Sequence, residues 1–429
     1  MHLPEAAPVV LPADRSLPSH MSIGPGARVA VAPFRKAFLG PNTLIVADPA
    51  TWAAWTDSAS ALTDMPGTML HLLDDTPRAD EETVRLMMNA AEGYTGLMAV
   101  GSGAVNDVTK AAASRLSLPY IAVGTAASMN GYVTTGAMLV TNRWKVCAPS
   151  RGPRAVVLDT DVLTKAPPAL TAAGVGVLAA MPLSLTDWWL AQQISDEPVD
   201  ASAAQVAEQS AEDVAEIGRG IAAGSAYAHE MLATRLVMSG AAMSLARSTA
   251  PGSGAEHLMA HLWDLRSIAT GQACGLHGAR VGVAACISAA LFRYVMACES
   301  PTFQPPPDWD TTADHIVTGL PLLAQPTLDA AAEKHPRAQE QFERLRVGWE
   351  SLRDGLRARD LPGPADVRST LSGAGAPTTL AEINLTREDA RRALLYARFI
   401  YDRYTVLDLA YQLGLLPAAI DPVLAAAGV

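Results

Sequence analysis

The stretch AVGSGAVNDVTKAAASRLSLPYIAVGTAASMNGYVTTG, residues 99–136, decides the fold. It predicts a strand that ends at a glycine turn, a helix, a second strand and a loop of small residues. Gly101 and Gly103 follow the apolar run of residues 97–100, and such a small turn lets backbone N–H groups and a helix N-terminus approach a pyrophosphate. The pattern indicates a nucleotide pocket, although GSG before a helix is equally typical of a plain tight turn.

A second small-residue loop favours the nucleotide interpretation. The loop of residues 125–128, TAAS, follows the strand-like run of residues 120–123. Loops at the ends of consecutive parallel strands lie side by side at the mouth of the sheet, where ligands bind in such folds. Asn106 and Asp107 stand where the third glycine of G-x-G-x-x-G would fall, so the first motif alone is weak evidence.

Composition restricts the class of protein. The 429 residues are 49% hydrophobic and 17% charged, which is typical of a globular chain long enough for two or three domains. The net charge of −11 argues against nucleic acid and acidic membrane surfaces as partners. The four cysteines form no C-x-x-C pair, so neither a zinc ribbon nor a redox motif is indicated.

The sequence also bears on location. The N-terminal residues contain no basic and apolar signal segment, because prolines and acids interrupt them. No apolar run approaches the roughly 18–20 residues that a membrane span needs. We therefore expect a cytoplasmic protein with no membrane contact.

The chain divides into two parts by its pattern. Strand signals alternate with helical ones in the first part, which includes a hairpin turn at Asn142-Arg143, and after Pro167-Pro168 the pattern is helical. We predict an α/β protein with an N-terminal Rossmann-like, parallel-sheet, dinucleotide-binding domain over residues 1–166. An all-helical domain over residues 167–429 would follow, with the active-site cleft between the two domains.

Further elements are predicted along the chain. The long helical candidates cover residues 168–194, 200–222, 225–249, 254–270, 275–298, 325–358, 387–402 and 404–414. Residues 301–310 contain prolines and acids and predict a loop. The proline-rich first 25 residues predict an arm or an extended edge segment.

Asp48 follows the first predicted strand, residues 43–47. A carboxylate at that place can bond a ribose hydroxyl of a dinucleotide. It can equally cap the helix that begins near Ala50. Both interpretations stay open on the sequence.

Three histidines form a candidate cluster. His257 and His261 lie four residues apart, so a helix places both on one face, and His277 lies near the start of the next predicted helix. Two helices can thus present three imidazoles to one point, and imidazole is a common ligand of zinc and iron. Core or helix-capping histidines would give the same spacing. The glutamate of H-E-x-x-H is missing, which argues against a metalloprotease.

These motifs together resemble one known family. GSGAVNDVTK, PYIAVGTAASMNGY, LDTDVL, GSGAEHLMAHLWD, LHG and DRYTVLDLAYQLGLL occur in the order and spacing of the sn-glycerol-1-phosphate dehydrogenases. That family is part of the superfamily of iron-containing alcohol dehydrogenases, glycerol dehydrogenases and dehydroquinate synthases. The resemblance covers about residues 25–418 and implies an NAD(P)-binding domain, a helical domain and a metal in the cleft.

The resemblance also implies which residues form the site. Together with Gly101 of the turn, its cofactor contacts are Asp48, Gly103, Ala104, Val105, Asn106, Asp107, Thr125, Ala126, Ala127, Ser128 and Thr134. Its metal ligands correspond to His257 and His277, and its substrate-contacting histidine corresponds to His261. In such enzymes the metal polarises the reacting oxygen while a hydride moves to or from the nicotinamide.

Three positions depart from the family pattern where the chemistry takes place. The family's third metal ligand, an aspartate in G-D-x-x-G-K, is Val177 here, and the lysine of that stretch is Met181. An aspartate of its substrate loop is Asn130. Because catalytic zinc normally has three protein ligands, we expect zinc or iron not to be tightly bound. Glu256 and Asp264 flank the histidines and are candidates for replacement ligands or orienting partners, although plain surface carboxylates would give the same spacing.

We therefore predict an NAD(P)-dependent oxidoreductase that interconverts a small carbonyl compound and its alcohol without a tightly bound catalytic metal. His261, as an imidazolium held by Asp264, would donate a hydrogen bond or a proton to the carbonyl oxygen, which contributes about 10²–10⁴-fold to rate. Asn130, Val177 and His261 would contact the substrate. The maleylacetate reductases of the same superfamily resemble this case.

Two alternatives stay open. One is a genuine sn-glycerol-1-phosphate dehydrogenase with a non-standard third metal ligand. The other is a nucleotide-binding homologue with repurposed or no redox activity. The resemblance also implies a homo-oligomer, and Asp48 favours NAD over NADP because a carboxylate there would repel a 2′-phosphate.

Overall fold

Parallel strands build the N-terminal part of the chain. The computed structural model describes residue 14, residues 16–56 and residues 65–429. The parallel strands are β1 (His20–Gly24), β2 (Thr43–Ala47), β3 (Thr68–Leu72), β4 (Gly96–Val100), β5 (Tyr120–Gly124) and, after a hairpin, β8 (Ala155–Asp159). They form one six-stranded sheet in the order β1-β8-β5-β4-β2-β3, with every neighbouring pair parallel. The predicted parallel-sheet fold is confirmed.

The four central strands are buried along their whole length, as is typical of parallel sheets covered on both faces. In β4 and β5, Val100 pairs with Val123. The loops that follow the two strands therefore leave the sheet at the same edge and side by side, as the sequence predicts.

A hairpin interrupts the parallel pattern. It consists of β6 (Gly136–Thr141) and β7 (Trp144–Pro149), which pair antiparallel. Asn142 and Arg143 form the turn with φ angles of 51° and 64°, the left-handed values that two-residue hairpin turns require. The predicted hairpin is confirmed.

Helices cover the sheet and form the rest of the chain. Those in the sheet-containing part are α1 (Val31–Phe38), α2 (Pro49–Thr56), α3 (Glu81–Ala90), α4 (Gly103–Arg115) and α5 (Thr160–Leu163). Those that follow are α6 (Pro168–Ala179), α7 (Met181–Ser195), α8 (Ala201–Ser210), α9 (Val214–Ala222), α10 (Ala226–Ala246), α11 (Ala255–Thr270), α12 (His277–Met296), α13 (Trp309–Gly319), α14 (Ala324–Lys334), α15 (Ala338–Arg357), α16 (Pro364–Gly373), α17 (Arg387–Tyr396), α18 (Val406–Gln412) and α19 (Ile420–Ala427).

Several predicted helices are divided in the structure. The one over 168–194 breaks at Ala180, close to Pro182, which cannot donate a backbone hydrogen bond. The one over 200–222 breaks before Asp213, which has a φ of 60°. The one over 325–358 breaks at His335-Pro336 for the same reason as the first. The strand β3 and the helices α1, α5, α13, α16 and α19 were not predicted. The edge strand β1 lies in the segment that was predicted as an arm or an extended edge segment.

The largest hydrophobic cluster joins the two parts. Leu97 and Leu158 of the sheet belong to the same cluster as Leu178 and Phe292 of the helices. Among the described residues, every element after β8 is helical. The domain boundary at residue 166 stays a prediction.

Two helical stretches have the length and composition of a membrane span, contrary to the expectation that no such run exists. They are Pro168–Ser195 and His277–Met296, and 83% of the apolar window in each is buried inside the protein. Burial of this extent is that of helices in a protein core. The search covers only the described part of the chain.

Two of these core helices, α6 and α12, touch through glycines. A Cβ on Gly278 would lie 2.0 Å from the carbonyl oxygen of Ala173, and one on Gly176 would lie 2.2 Å from that of Gly278. Because both contacts are with backbone atoms, a side chain at either glycine would force the helices apart. The contact fixes the first turn of α12, where His277 lies.

We predict that Gly278→Ala lowers the free energy of unfolding by about 1–3 kcal/mol, because the new methyl group overpacks the contact between α6 and α12. Chemical denaturation followed by circular dichroism measures it. Gly348→Ala in α15 is the matched control, since nothing lies within 4 Å of the added Cβ. It should raise the free energy of unfolding by about 0.5–1 kcal/mol. Equal stability of the two variants would contradict the glycine contact.

Candidate active site

The glycine turn between β4 and α4 forms an open cradle. The Gly101 N–H donates to the carbonyl oxygen of Val123 at 3.0 Å, and a Cβ on Gly101 would lie 2.8 Å from the side chain of Val105. Gly103 has a φ of 45°, and nothing lies within 4 Å of the place of its missing side chain. The Ser102 side chain makes no capping bond to the helix. The unshielded N-terminus of α4 therefore fits the pyrophosphate of a dinucleotide.

The second small-residue loop lies against the first. Ser128 Oγ is 3.5 Å from Ser102 Oγ. The hydroxyl of Tyr132, which is buried, donates to the carbonyl oxygen of Ala126 at 2.8 Å. A Cβ on Gly124 would lie 2.8 Å from the Tyr132 ring, so the glycine at the end of β5 leaves room for the ring. Tyr132 thus positions the second loop, a role that the sequence analysis missed.

The predicted cofactor residues differ in exposure. Gly103, Ala104, Asp107, Ser128 and Thr134 are partly exposed, whereas Gly101, Val105, Asn106, Thr125, Ala126 and Ala127 are buried. The buried side chains support the two loops, and the exposed ones lie where a ligand can reach them. Burial raises the pKa of Asp107 to about 6. The contacts of all these residues with a cofactor stay predictions.

Lys110 ties the loop after β5 to α4. Its ammonium group is buried and donates to the carbonyl oxygens of Gly131 at 2.7 Å and Gly136 at 3.0 Å. It also donates to the Thr134 hydroxyl oxygen at 3.0 Å. Burial lowers the pKa of Lys110, which Asp107 partly offsets. The hydrogen bond from Lys110 therefore fixes the Thr134 side chain, which lies in the loop after β5.

Asp48 caps α2. Its Oδ1 accepts a hydrogen bond from the Thr51 N–H at 2.7 Å, and its own N–H donates to Thr51 Oγ1 at 3.0 Å. One of the two open interpretations is thus present in the structure. A contact with a ribose stays a prediction.

The three histidines meet in one cluster. His257 and His261 lie on α11, and His277 is the first residue of α12. The ring centroid of His277 lies 5.5 Å from that of His257 and 5.3 Å from that of His261, and the His257 and His261 centroids are 6.2 Å apart. His277 is 36% exposed, so the cluster reaches the protein surface.

A buried carboxylate orients His257. His257 Nδ1 lies 2.9 Å from Glu256 Oε1, which also accepts from Ser184 Oγ at 2.6 Å and from the Gly254 N–H at 2.7 Å. Burial opposes ionisation of Glu256, but these donors, His257 foremost, keep its pKa below the usual value. An ionised Glu256 fixes the proton on Nδ1 and leaves the lone pair on Nε2.

Asp187 lies near Glu256, but its hydrogen-bond partners are backbone N–H groups. Its carboxylate accepts from the N–H groups of Ala255 and Val406, each at 2.7 Å, and so caps both α11 and α18. Burial and the nearby Glu256 raise its pKa well above the usual value. Asp187 is therefore a positioning group for the cluster.

Asp264 is the carboxylate that faces the histidines. Its Oδ2 lies 2.7 Å from Lys145 Nζ, and its Oδ1 accepts from Arg280. Oδ2 is 3.9 Å from His261 Nδ1 and 3.8 Å from His277 Nδ1, too far for a hydrogen bond. Burial opposes ionisation, but the two cations outweigh it and hold the pKa of Asp264 well below its usual range.

The charge state of His261 differs from the expectation. Burial first, and the Lys145 cation next, lower its pKa well below the usual value. The same two causes lower the pKa of His277 to about 3. Both imidazoles are therefore neutral near pH 7. The expected His261 imidazolium held by Asp264 is corrected to a neutral imidazole beside a carboxylate that binds Lys145 and Arg280.

The donor set does not fit a tightly held divalent cation. Ligand atoms of His261, Asp264 and His277 lie within 4.8 Å of one another, so their geometry alone would allow one. However, the charge of Asp264 is already opposed by the two cations of Lys145 and Arg280. Like unit charges 4 Å apart repel by roughly 4 kcal/mol near a protein surface. An ion bound to Asp264 would therefore be repelled by the Lys145 ammonium group.

Asn130 and Val177, the two other residues predicted to contact the substrate, make contacts within the protein. Asn130 Nδ2 donates to Ser239 Oγ of α10 at 3.1 Å. Val177 is 2% exposed in α6, next to Gly176, which touches α12. Val177 offers no lone pair to an ion and little surface to a substrate. Both contacts with a substrate stay predictions.

Lys145, Arg280 and Tyr401 were missed by the sequence analysis. Lys145 and Asp264 are 119 residues apart in the chain, so no local pattern connects them. Tyr401 places its ring 5.6 Å from that of His261 and donates its hydroxyl hydrogen to the Lys145 carbonyl oxygen at 2.9 Å. The only local signal is that Lys145 lies two residues after the predicted hairpin turn.

Known proteins match the chain over most of its length. Residues 22–167 match the model of the family described as iron-containing alcohol dehydrogenase. A relative named glycerol-1-phosphate dehydrogenase [NAD(P)+], from Geobacillus stearothermophilus, is 30% identical over 333 residues, which cover 77% of this chain and 75% of the relative. A relative of the same name from Methanosarcina barkeri is 34% identical over 56% of this chain and 67% of its own length.

Solved structures share the fold. Glycerol dehydrogenase from Schizosaccharomyces pombe has a TM-score of 0.62 and 13% identity, covering 98% of this chain and 94% of its own. Maleylacetate reductase from Rhizobium sp. strain MTP-10005 has a TM-score of 0.57 and 17% identity, covering 91% and 92%. Identities this low establish the fold alone. The sequence relatives confirm the resemblance found from the motifs: the chain belongs to the glycerol-1-phosphate dehydrogenase family.

Proposed function

We propose that this chain is an NAD(P)-dependent oxidoreductase that interconverts a small carbonyl compound and its alcohol without a tightly bound catalytic metal. The names of its relatives support the reaction class. The single observation that carries the metal-independent form is the Asp264 carboxylate, which both Lys145 and Arg280 already engage.

The chain's own residues would hold the cofactor at the carboxyl edge of the sheet. The turn at Gly101 and Gly103 and the N-terminus of α4 would receive the pyrophosphate. Asp48 would bond the adenosine ribose with the oxygen that does not cap α2, and it would favour NAD over NADP. When bound, the reduced nicotinamide supplies the hydride for the carbonyl carbon.

His261 would contact the reacting oxygen. Its Nδ1 is buried and has no hydrogen-bond partner among the described residues. Buried polar atoms normally have a partner, so a substrate oxygen is a fitting occupant. A neutral imidazole donates one N–H, which suffices to orient a carbonyl group and to stabilise the charge that develops on its oxygen.

A genuine glycerol-1-phosphate dehydrogenase is the second candidate. The close approach of the His261, Asp264 and His277 ligand atoms and the names of the relatives favour it. It requires an ion that binds Asp264 against the repulsion of Lys145 and Arg280. Metal analysis of the purified protein decides between the two candidates. Turnover of any carbonyl compound in a screen would exclude a nucleotide-binding protein with no redox activity. The homo-oligomer and the cytoplasmic location stay predictions.

We predict that Gly103→Glu weakens NADH binding at least about tenfold, because its carboxylate enters the open cradle and repels the pyrophosphate. Titration of NADH fluorescence measures the dissociation constant. Gly93→Glu is the matched control, since Gly93 also has a positive φ and open space around its missing side chain. Equal loss of affinity in both variants would mean that the turn does not hold the cofactor.

We predict that the purified wild-type protein contains far less than one metal ion per chain, as elemental analysis measures. Val177→Asp should raise zinc affinity at least about tenfold, since supporting groups alone change metal affinity by about 10–100-fold. Val177→Asn is the control for placing a polar group at this buried position. One tightly bound ion per wild-type chain would overturn the metal-independent form.

We predict that His261→Ala lowers kcat by about 10²-fold or more with the substrate found in a screen of carbonyl compounds, because positioned proton or hydrogen-bond donors contribute this much. Absorbance of the reduced nicotinamide measures turnover. His261→Asn, which keeps a donor, should retain more activity. His71→Ala on β3 is the control, and turnover of His261→Ala equal to it would remove His261 from the reaction.

A further inference from the structure

We propose that Lys145 takes the place of the catalytic metal: its ammonium group, anchored by Asp264, stabilises the negative charge that develops on the substrate oxygen. This inference rests on the proposed function and adds a residue to that site. It follows from the disagreement between the metal implied by the family and the donor set of this chain.

The backbone around Lys145 is fixed. Lys145 lies on β7 and pairs with Val140 of β6 in the hairpin. Its carbonyl oxygen accepts from the Tyr401 hydroxyl at 2.9 Å, and Tyr401 also contacts the His261 ring. The Lys145 side chain therefore starts from a held position and ends at Asp264, 2.7 Å from Oδ2.

The ammonium group keeps capacity for a ligand. An ammonium has three N–H donors, and within the described part of the chain Asp264 is the one acceptor found for Nζ. The Lys145 side chain is 17% exposed, so solvent reaches it. The Asp264 oxygen that it binds lies 3.9 Å from His261 Nδ1 and 3.8 Å from His277 Nδ1, so the ammonium group lies one carboxylate oxygen away from the imidazoles.

Arg280 is committed differently. Besides Asp264, it donates to the carbonyl oxygens of Cys274 and Gly275 and so closes the loop before α12. Arg280 therefore serves the loop and holds Asp264 ionised. Of the two cations on Asp264, Lys145 is the one with donors left for a substrate.

A positive group at this place adds to what the neutral His261 can supply. As the carbonyl carbon accepts a hydride from the reduced nicotinamide, the electron pair of the C=O π bond moves to oxygen, which becomes an alkoxide. A Lys145 N–H donates to that oxygen while Asp264 holds Nζ in place, and a proton from water completes the alcohol. A preorganised donor of this kind contributes about 10²–10³-fold to kcat.

The first experiment needs no substrate. Cobalt(II) is titrated into the metal-stripped full-length protein and into Lys145→Met, with visible absorption and calorimetry as readouts. Removing the cation frees Asp264, so Lys145→Met should bind cobalt(II) at least about tenfold more tightly than the wild type. Adding Asp264→Asn to that variant should abolish the gain. Lys36→Met, an exposed lysine of α1, is the control and should bind like the wild type.

The second experiment measures turnover with the substrate of the proposed reaction, with cobalt(II) and zinc removed by chelation. Lys145→Met should lower kcat by about 10²-fold or more, while the dissociation constant of NADH changes little. Lys145→Arg should recover part of kcat. A loss that lies entirely in NADH affinity or in KM would overturn the proposal, as would unchanged kcat.

The two experiments separate the possible failures. If no carbonyl substrate is turned over but Lys145→Met gains cobalt(II), the proposed reaction fails while the assignment of Lys145 to the place of the metal holds. If the wild type turns over a substrate but Lys145→Met binds cobalt(II) no better, the assignment fails and the reaction stands. Lys145→Gln repeats both measurements should Lys145→Met not fold.

Discussion

The geometry of the candidate active site depends on the ion pairs of the Asp264 carboxylate. This carboxylate comes from α11 and binds Lys145 of the hairpin and Arg280 of α12, so one side chain joins three elements. Removing one partner of such a largely buried ion pair leaves the other charge less well compensated, which is costly. The ionised state of Asp264 is therefore built into the packing of the hairpin against the helices.

Local patterns made most of the sheet predictable. The four buried strands are continuous apolar runs, and the glycine turn and hairpin turn need the backbone angles that Gly103, Asn142 and Arg143 adopt. The edge strand β3 was missed because its five residues, TMLHL, include a histidine and are neither continuously buried nor regularly alternating in burial. The long helices were placed correctly in outline, but Pro182 and Pro336 divide two of them.

The candidate site was only partly predictable for a related reason. The spacing of His257 and His261 is local and predicts their common face, and the next helix brings His277 to them. The partner of Asp264 on the hairpin is set by tertiary packing across 119 residues, which no periodicity encodes. A carboxylate three residues from His261 by itself suggests an imidazolium. Because Lys145 balances the negative charge of that carboxylate, the imidazole stays neutral.

The carboxylates and cations around the imidazoles have different partners. Glu256 bonds His257, Ser184 and the Gly254 N–H, and Asp187 bonds backbone N–H groups. Asp264 lies 3.8 Å from His277 Nδ1 and 3.9 Å from His261 Nδ1, and it binds both Lys145 and Arg280. Two cations on one carboxylate leave a net positive charge beside the histidines, and such a charge stabilises a group that gains negative charge there. A carbonyl oxygen gains negative charge when a hydride reaches its carbon, whereas the same net charge opposes a divalent cation.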